Sequence, residues 1–520
     1  MIRSFLTVSS GTLASRLLGF LRDSMIAALL GAGPVADAFL VAFQLVNVAR
    51  RLLSEGALNA ALVPAWLKLR ETNRRSAAAF AGRVLGTISV VLIAITVLIG
   101  VLMPLVITAL APGFAGQETL RLAVDNARLM LPYLAFAGPS TVLLALASAQ
   151  GRFFLTAFSP LLFNIVLIAA MIILIFAHRD ASFVAPALAA TVGVAGLLQL
   201  SILALSWNEA IATPLRVSFD REMRGFFTRA IPGMVASSAP QLLIVAGAII
   251  ASSSPAAVSW LYFANRLIEL PLGIVGVAMG TVLIPELTRA LHGDDRAAIG
   301  NAESRALELA VGLALPAMLG LIALSEPIVR LLFQHGAFTS EDAQSTSNAL
   351  IWLALGLPAH VLVKALSPAF FAREDTYAPL TATLKGIGVA IVLAVLFGHL
   401  FGAGGIAAAI ACGAWSNALS LIRRGSATFG FSLDEAARRR LPLIAAAALL
   451  MGGPLWFAAD LIMDAFTHGL IQAVILLGLI AGAVAAYGGL LALLGVAGWR
   501  EVVNAVGRSK SGDFDPDLRP

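Results

Sequence analysis

Arg16, Arg22, Asp23, Asp37, Arg50, Arg51 and Glu55 all fall within the first 66 residues, in two segments that otherwise read as apolar helix, roughly 5–30 and 34–64. A helix that crosses a bilayer needs about 20 mostly apolar residues. An arginine at its centre costs at least ~2.5–3.5 kcal/mol on insertion scales. Several together must face something wet, and a water-filled cationic cavity inside a helical membrane protein is the simplest arrangement that lets them. The chemistry on offer is recognition of an anion, because guanidinium groups match phosphate oxygens with paired donors. A later apolar stretch, Trp260 to Pro271, adds Arg266 and Glu269.

Helical periodicity of 100° per residue assigns these charges to faces. Arg16 and Asp23, seven apart, share a face, with Arg22 about 120° away; Gly19 between them permits a kink. Asp37, Arg51 and Glu55 share a face of the second segment, and Arg51 with Glu55 has i,i+4 ion-pair spacing. Arg50 points elsewhere, so only one of the adjacent arginines looks squarely into a cavity, and face geometry does not choose between them. Asp37 belongs near the external end, for pairing or gating. The bland reading, internal pairing or snorkelling, competes most strongly for Arg51 with Glu55 and for Arg22 with Asp23. Arg16 and Arg266 lie deepest in their spans and carry the functional reading, since ionisable groups inside a membrane usually serve function.

Other chemistries lack material. There is no His/Cys cluster with metal-ligand spacing, no glycine loop with lysine for a nucleotide, and no nucleophile with a base. Cys412 is the single cysteine and reads as a small packing residue in an apolar stretch. No cofactor is expected, and transport would draw on an ion gradient or the membrane potential.

The elements that hold these residues follow from composition. With 520 residues, 59% hydrophobic and 12% charged, and mean hydropathy +0.92, the chain has lipid for its solvent. In lipid the backbone must satisfy itself in helices or a closed barrel, and apolar runs of 20 to 30 residues choose helices. The fold expected is all-α and polytopic, with spans near 5–30, 34–64, 84–110, 122–149, 155–177, 183–207, 226–252, 256–285, 306–333, 343–372, 379–400, 404–422, 441–463 and 470–494, fourteen in all. Net charge is +6, but the basic residues concentrate in alternate loops, around 68–83, 152, 216–229, 289–305, 373 and 423–440. That pattern is topology and not a nucleic-acid signal; it puts those loops and both termini in the cytoplasm.

At a constant offset of 221 residues Pro34 matches Pro255, Pro64 matches Pro285 and Arg152 matches Arg373, and the span pattern repeats with them. The expected organisation is an N-lobe at 1–210, a C-lobe at 211–425, a pair of extra spans at 426–498 and a polar tail at 499–520. Six spans per lobe make the repeat parallel, as in transporters whose lobes rock about a central site.

The stretches Ser15-Arg-Leu-Leu-Gly-Phe-Leu-Arg-Asp23, Ala36-Asp-Ala-Phe39, Asn47-Val-Ala-Arg-Arg51 with Ser54-Glu-Gly-Ala57, Gln150-Gly-Arg-Phe-Phe154 with Ser159, Pro160 and Asn164, and Trp260 to Pro271 together resemble the MurJ (MviN) family. These are bacterial lipid II flippases of the multidrug/oligosaccharidyl-lipid/polysaccharide exporter superfamily. The resemblance covers residues 1 to about 425 and is looser in the last two spans. It implies an inner-membrane protein that moves the undecaprenyl-diphosphate-linked cell-wall precursor from the cytoplasmic to the periplasmic leaflet by alternating access. It also implies substrate contacts at Arg16, Arg22, Arg50 and Arg266, favouring Arg50 over Arg51, with Asp23, Asp37, Arg51, Glu55 and Glu269 supporting or gating. The final two spans would form a groove for the lipid tail. An exporter of another polyprenyl-linked saccharide or of a drug is the competing reading.

Overall fold

The computed structural model describes residues 2–54, 57–207, 212–221, 223–228, 247, 249–278, 296–371, 373, 375, 377–430, 433–463 and 469–496. The expected span at 226–252 lies largely outside these, as do Glu55 and the tail at 499–520. Among the described residues the regular structure is helical throughout. The helices are α1 (Ile2–Leu30), α2 (Pro34–Ser54), α3 (Ala57–Thr72), α4 (Arg74–Val101), α5 (Met103–Leu110), α6 (Glu118–Met130), α7 (Pro132–Ala149), α8 (Phe153–Phe176) and α9 (Ala181–Leu205). They continue as α10 (Ala257–Ala278), α11 (Arg296–Ala323), α12 (Ser325–Phe333), α13 (Ser340–Ala354), α14 (Leu357–Phe371), α15 (Tyr377–Phe429), α16 (Glu435–Met463) and α17 (Gly469–Leu493).

Among the described residues, eight helices are long and apolar enough to cross a membrane, or up to nine when α13 and α14, bent by 42° at their junction, count as one broken span. The chain is therefore a multi-pass membrane protein. Outside that set stand α1, α2 and α10, the helices that carry the charged constellation.

Several expected spans are broken, and proline accounts for the breaks. Pro104 lies in the first turn of α5 after the break at Leu102, and Pro132 opens α7 after Leu131. A first-turn proline loses nothing because its missing N–H has no helical partner there. The same breaks recur in the second half at nearly the repeat spacing, at Leu324 before α12 and at 355–356 before α14.

Tyr377–Phe429 is 53 residues, about 80 Å if straight, against a hydrocarbon core of about 30 Å. The chain turns back at Gly402, with φ 56° and ψ −137°. A Cβ on Gly405 would stand 2.1 Å from the Phe397 carbonyl oxygen, and one on Gly413 would stand 2.6 Å from that of Gly386. Such approaches require a tight hairpin, which corresponds to the two spans expected at 379–400 and 404–422. Cys412 lies on its returning arm and is exposed. It is not the buried packing residue expected, because Gly413 is the position that faces the partner arm.

The chain divides into two compact units. The first comprises Met1–Arg266, Leu332–Ala349 and Thr383–Gly413. In it α1 lies along α8, α2 along α6, and α7 between α4 and α9. Small residues set the spacing: a Cβ on Gly11 would meet the Ala157 Cβ at 2.7 Å. Without a hydrophobic drive between helices in lipid, close backbone approach is the main source of association. The second unit comprises Leu267–Leu331, Leu350–Ala382 and Ala414–Pro520. In it α11 packs on α14 and α16, and α17 packs on α16; the Tyr487 hydroxyl donates to the Gly312 carbonyl at 2.8 Å.

One contact is built alike in both. Arg152 Cζ lies 4.6 Å from the centre of the Trp207 ring, and Arg373 Cζ lies 3.9 Å from that of Phe429. The arginines sit at the repeat spacing and the aromatic residues one residue off it.

Candidate functional site

The site is built on Asp23, fully buried on α1. A carboxylate with no solvent access needs compensating cations and donors, and three side chains supply them. Arg22, next to it in sequence, donates to Asp23 Oδ1 through Nε at 2.9 Å and Nη2 at 2.6 Å. Arg266, from α10, places Nε 2.6 Å from Asp23 Oδ2. The Tyr262 hydroxyl, one turn earlier on α10, donates to Oδ1 at 3.3 Å. One carboxylate thus joins two guanidinium groups and leaves a net positive charge.

Arg22 is fixed from every side. Its Nη1 donates to Asn164 Oδ1 at 2.9 Å, while Asn164 Nδ2 donates to the Ser15 carbonyl at 3.1 Å. Its Cζ lies 4.9 Å from the Phe43 ring centre. The Arg266 side chain retains 23% exposure, and its Nη2 lies 2.8 Å from where a Cβ on Gly19 would stand. A Cβ there would push the guanidinium away from the helix backbone on which it lies. Arg16 is exposed. Seven residues from Asp23, it projects from the same face of α1, about 10 Å closer to the N-terminus.

Toward the opposite end of α1 the structure is sealed. Phe20, Phe263, Phe333 and Phe338 form an aromatic cluster, with Phe20 and Phe333 ring centres 5.8 Å apart. The Ser24 hydroxyl donates to the Leu332 carbonyl, and Ala337 N–H donates to the Ala28 carbonyl at 2.8 Å. A Cβ on Gly336, where φ is +57°, would be 2.3 Å from that same oxygen.

Asp37 belongs to this closed end. Buried in the first turn of α2, it accepts from Ser259 N–H at 2.9 Å and from the Ser259 hydroxyl at 2.5 Å. It is a side-chain cap on the N-terminus of α10, where unpaired N–H groups and the helix dipole favour a negative charge. The next residue, Trp260, donates from Nε1 to Asp342 Oδ1 at 3.0 Å. Asp342 in turn caps α13, its Oδ2 accepting from Thr339 N–H at 3.0 Å.

The structure therefore brings Arg22, Asp23 and Arg266 together and sets Asp37 in the seal. Arg50 and Arg51 lie near the far end of α2, half-buried and engaged in interactions. Arg50 is within electrostatic range of Tyr133 on α7. Glu269 is half-buried and engaged, and Glu55 lies outside the described residues. Sequence reasoning missed Asn164 and Tyr262 as partners of the cluster. The signal for Asn164 was an amide in a strongly apolar span, where a buried polar group must find partners. Among the described residues no group of three or more His, Cys, Asp or Glu is arranged to hold a metal ion.

Comparison with known proteins adds the following. The family model described as lipid II flippase MurJ matches residues 26–477. A probable lipid II flippase MurJ from Rhizobium meliloti (strain 1021) is 37% identical over 502 residues, 94% of this chain and 92% of its own length. The lipid II flippase MurJ of Burkholderia cenocepacia is 31% identical over 437 residues, 81% of this chain and 83% of its own. Among solved structures, a lipid II flippase MurJ in an inward closed conformation superposes with TM-score 0.78 at 23% identity, covering 96% of this chain and 100% of that one. An inward-facing MATE family transporter of the MOP superfamily gives 0.65 at 16% identity, covering 83% and 96%. At these identities the two structures speak for the fold alone.

Proposed function

Because the chain belongs to the MurJ family of lipid II flippases, we propose that it moves the undecaprenyl-diphosphate-linked peptidoglycan precursor from the cytoplasmic to the periplasmic leaflet of the bacterial inner membrane. The observation that carries this reading is the Arg22–Asp23–Arg266 cluster. Asp23 holds two cations that a diphosphate would otherwise attract, and it is a weaker partner than a dianion with more acceptor oxygens. A diphosphate arriving from the exposed Arg16 end takes over Arg266 first, since Arg22 is locked by Asn164 and Phe43. The exchange needs no covalent chemistry, and the reading assigns the chain no enzymatic step and no cofactor.

With both termini in the cytoplasm, the exposed end of α1 opens inward, and the aromatic cluster with the Asp37 cap closes the periplasmic end. Alternating access then requires that seal to part while the cytoplasmic side closes, by rocking of two six-span lobes. Arg50 takes a further phosphate or saccharide contact, and Arg51, Glu55 and Glu269 support or gate. The last two spans, exposed along Leu449, Leu450, Trp456, Phe457 and Leu477, offer the apolar groove for the polyprenyl tail. Coupling to the membrane potential supplies about 2.3 kcal/mol per charge per 100 mV.

The test is conditional depletion in the cell, followed by a leaflet-specific assay of the lipid-linked precursor. The reading expects the precursor to accumulate on the cytoplasmic face as the protein is lost. Continued export at the undepleted rate, with cell-wall synthesis unaffected, overturns it.

A further inference from the structure

Residues 212–220, the connection that follows α9, do not form a loose loop. The chain lies on α4, where a Cβ on Gly82 would be 2.4 Å from the Pro214 carbonyl oxygen and one on Gly86 would be 2.7 Å from that of Arg216. At the next residue of α4, the Thr87 hydroxyl donates to the Ser218 carbonyl at 3.2 Å and accepts from Ser218 N–H at 3.1 Å. The segment then returns toward Arg83, whose Nη1 donates to Asp220 Oδ2 at 2.8 Å. It descends along α4 to Ser218 and Phe219 and climbs back, pinned at both ends of the dip.

The side of this dip that faces away from α4 is apolar. Leu215, Val217 and Phe219 are exposed by 62%, 48% and 59%, at the alternate positions that share a side in extended backbone. Depth follows from α4 itself, whose exposed apolar belt begins at Val90. Thr87 stands about 4.5 Å beyond that belt and Arg83 about 10 Å, while the interfacial layer on each side of the hydrocarbon core is about 5–8 Å thick. The dip therefore lies at the height of the lipid headgroups. Around it Arg216, Arg221 and Arg224 are exposed; Asp220 is occupied by Arg83, and Glu222 lies outside the described residues.

We propose that residues 213–219 are an interfacial anchor, with Leu215, Val217 and Phe219 inserted at the acyl boundary and Arg216 and Arg221 on the headgroups of anionic phospholipid. Each arginine near an anionic surface adds to the attraction. The contact ties the end of α4 and the start of the following segment to one leaflet, independently of the substrate site.

The lone cysteine makes the test direct. In a Cys412→Ala background, Leu215→Cys, Arg216→Cys, Val217→Cys and Phe219→Cys are each given a nitroxide label. The full-length protein is placed in nanodiscs of phosphatidylcholine alone or with phosphatidylglycerol. Spin-label accessibility is expected to favour oxygen over a water-soluble nickel chelate at 215, 217 and 219 and to reverse at 216, with the labels moving deeper when phosphatidylglycerol is present. Adding Arg216→Gln and Arg221→Gln to the Val217→Cys protein is expected to abolish that shift. Equal access of the nickel chelate at all four positions overturns the anchor. Depth unchanged by lipid charge overturns its headgroup half.

Discussion

Asp23 decides how the two arginines behave. Replacing the part-exposed Arg266 by Ala is expected to abolish flipping while leaving the amount of protein in the membrane unchanged, as read by immunoblot beside a transport assay; Arg22→Ala should abolish flipping and also lower stability, because it strips the fully buried Asp23 of its nearest cation. Asp23→Asn acts on both arginines at once, because it leaves the buried Arg22 and the half-buried Arg266 facing a neutral amide. Breaking a buried pair this way costs about 3–5 kcal/mol, so a clear drop in thermal stability in detergent is the expected reading, and an unchanged melting temperature would contradict the assigned geometry. Asn164→Leu removes the acceptor of Arg22 Nη1 and should cost about 1–3 kcal/mol, with flipping reduced more than protein level. The charged residues themselves were visible in the sequence because a charge in an apolar span stands out. Their partnership was not, since periodicity places Arg22 and Asp23 on α1 without saying that Arg266, more than two hundred residues later, reaches the same carboxylate. Asp37 shows the same limit: its spacing advertised a charge near a helix start, but only the fold shows that the helix it caps is α10.

Helix breaks are where sequence and structure part. Apolar runs located long helices, eight to nine of which qualify as spans among the described residues, and the turn between 400 and 404 reappears as the reversal at Gly402. The interruptions at Leu102, Leu131, Leu324 and 355–356 were read through, because hydropathy does not register a break that keeps both halves apolar; the prolines beside them were the available signal. Gly402→Ala tests the hairpin. A non-glycine residue in so sparsely populated a backbone region costs about 1–3 kcal/mol, so the variant should melt earlier than wild type, whereas Ala at Gly453, where a Cβ meets nothing within 4 Å, should not. Asp37→Ala removes the cap of α10 and is expected to lose about 0.5–2 kcal/mol. Because α10 carries Arg266, flipping should fall with it.

The repeat legible in three residue pairs has a physical counterpart in the arginine–aromatic stack that recurs at Trp207 and Phe429, and the connection between the two halves is tied down by Asp220. Hydrogen bonds from Ser218 and from Met223 N–H, together with the Arg83 guanidinium, hold the Asp220 carboxyl below the usual carboxylate range. The stabilisation is therefore complete above the ordinary value near ~3.9 and is lost as pH falls through the lowered one. A label at Val217 should stay ordered from neutral pH down to about 4 and loosen only below it; loosening near neutrality would contradict the clasp. The proposed transport as a whole rests on guanidinium groups that give up a carboxylate for a diphosphate. Its most direct test is lipid II translocation in proteoliposomes containing equal amounts of wild-type, Arg22→Ala or Arg266→Ala protein. Wild type is expected to translocate and neither variant to do so; translocation at the wild-type rate in both variants would rule out the exchange of carboxylate for diphosphate.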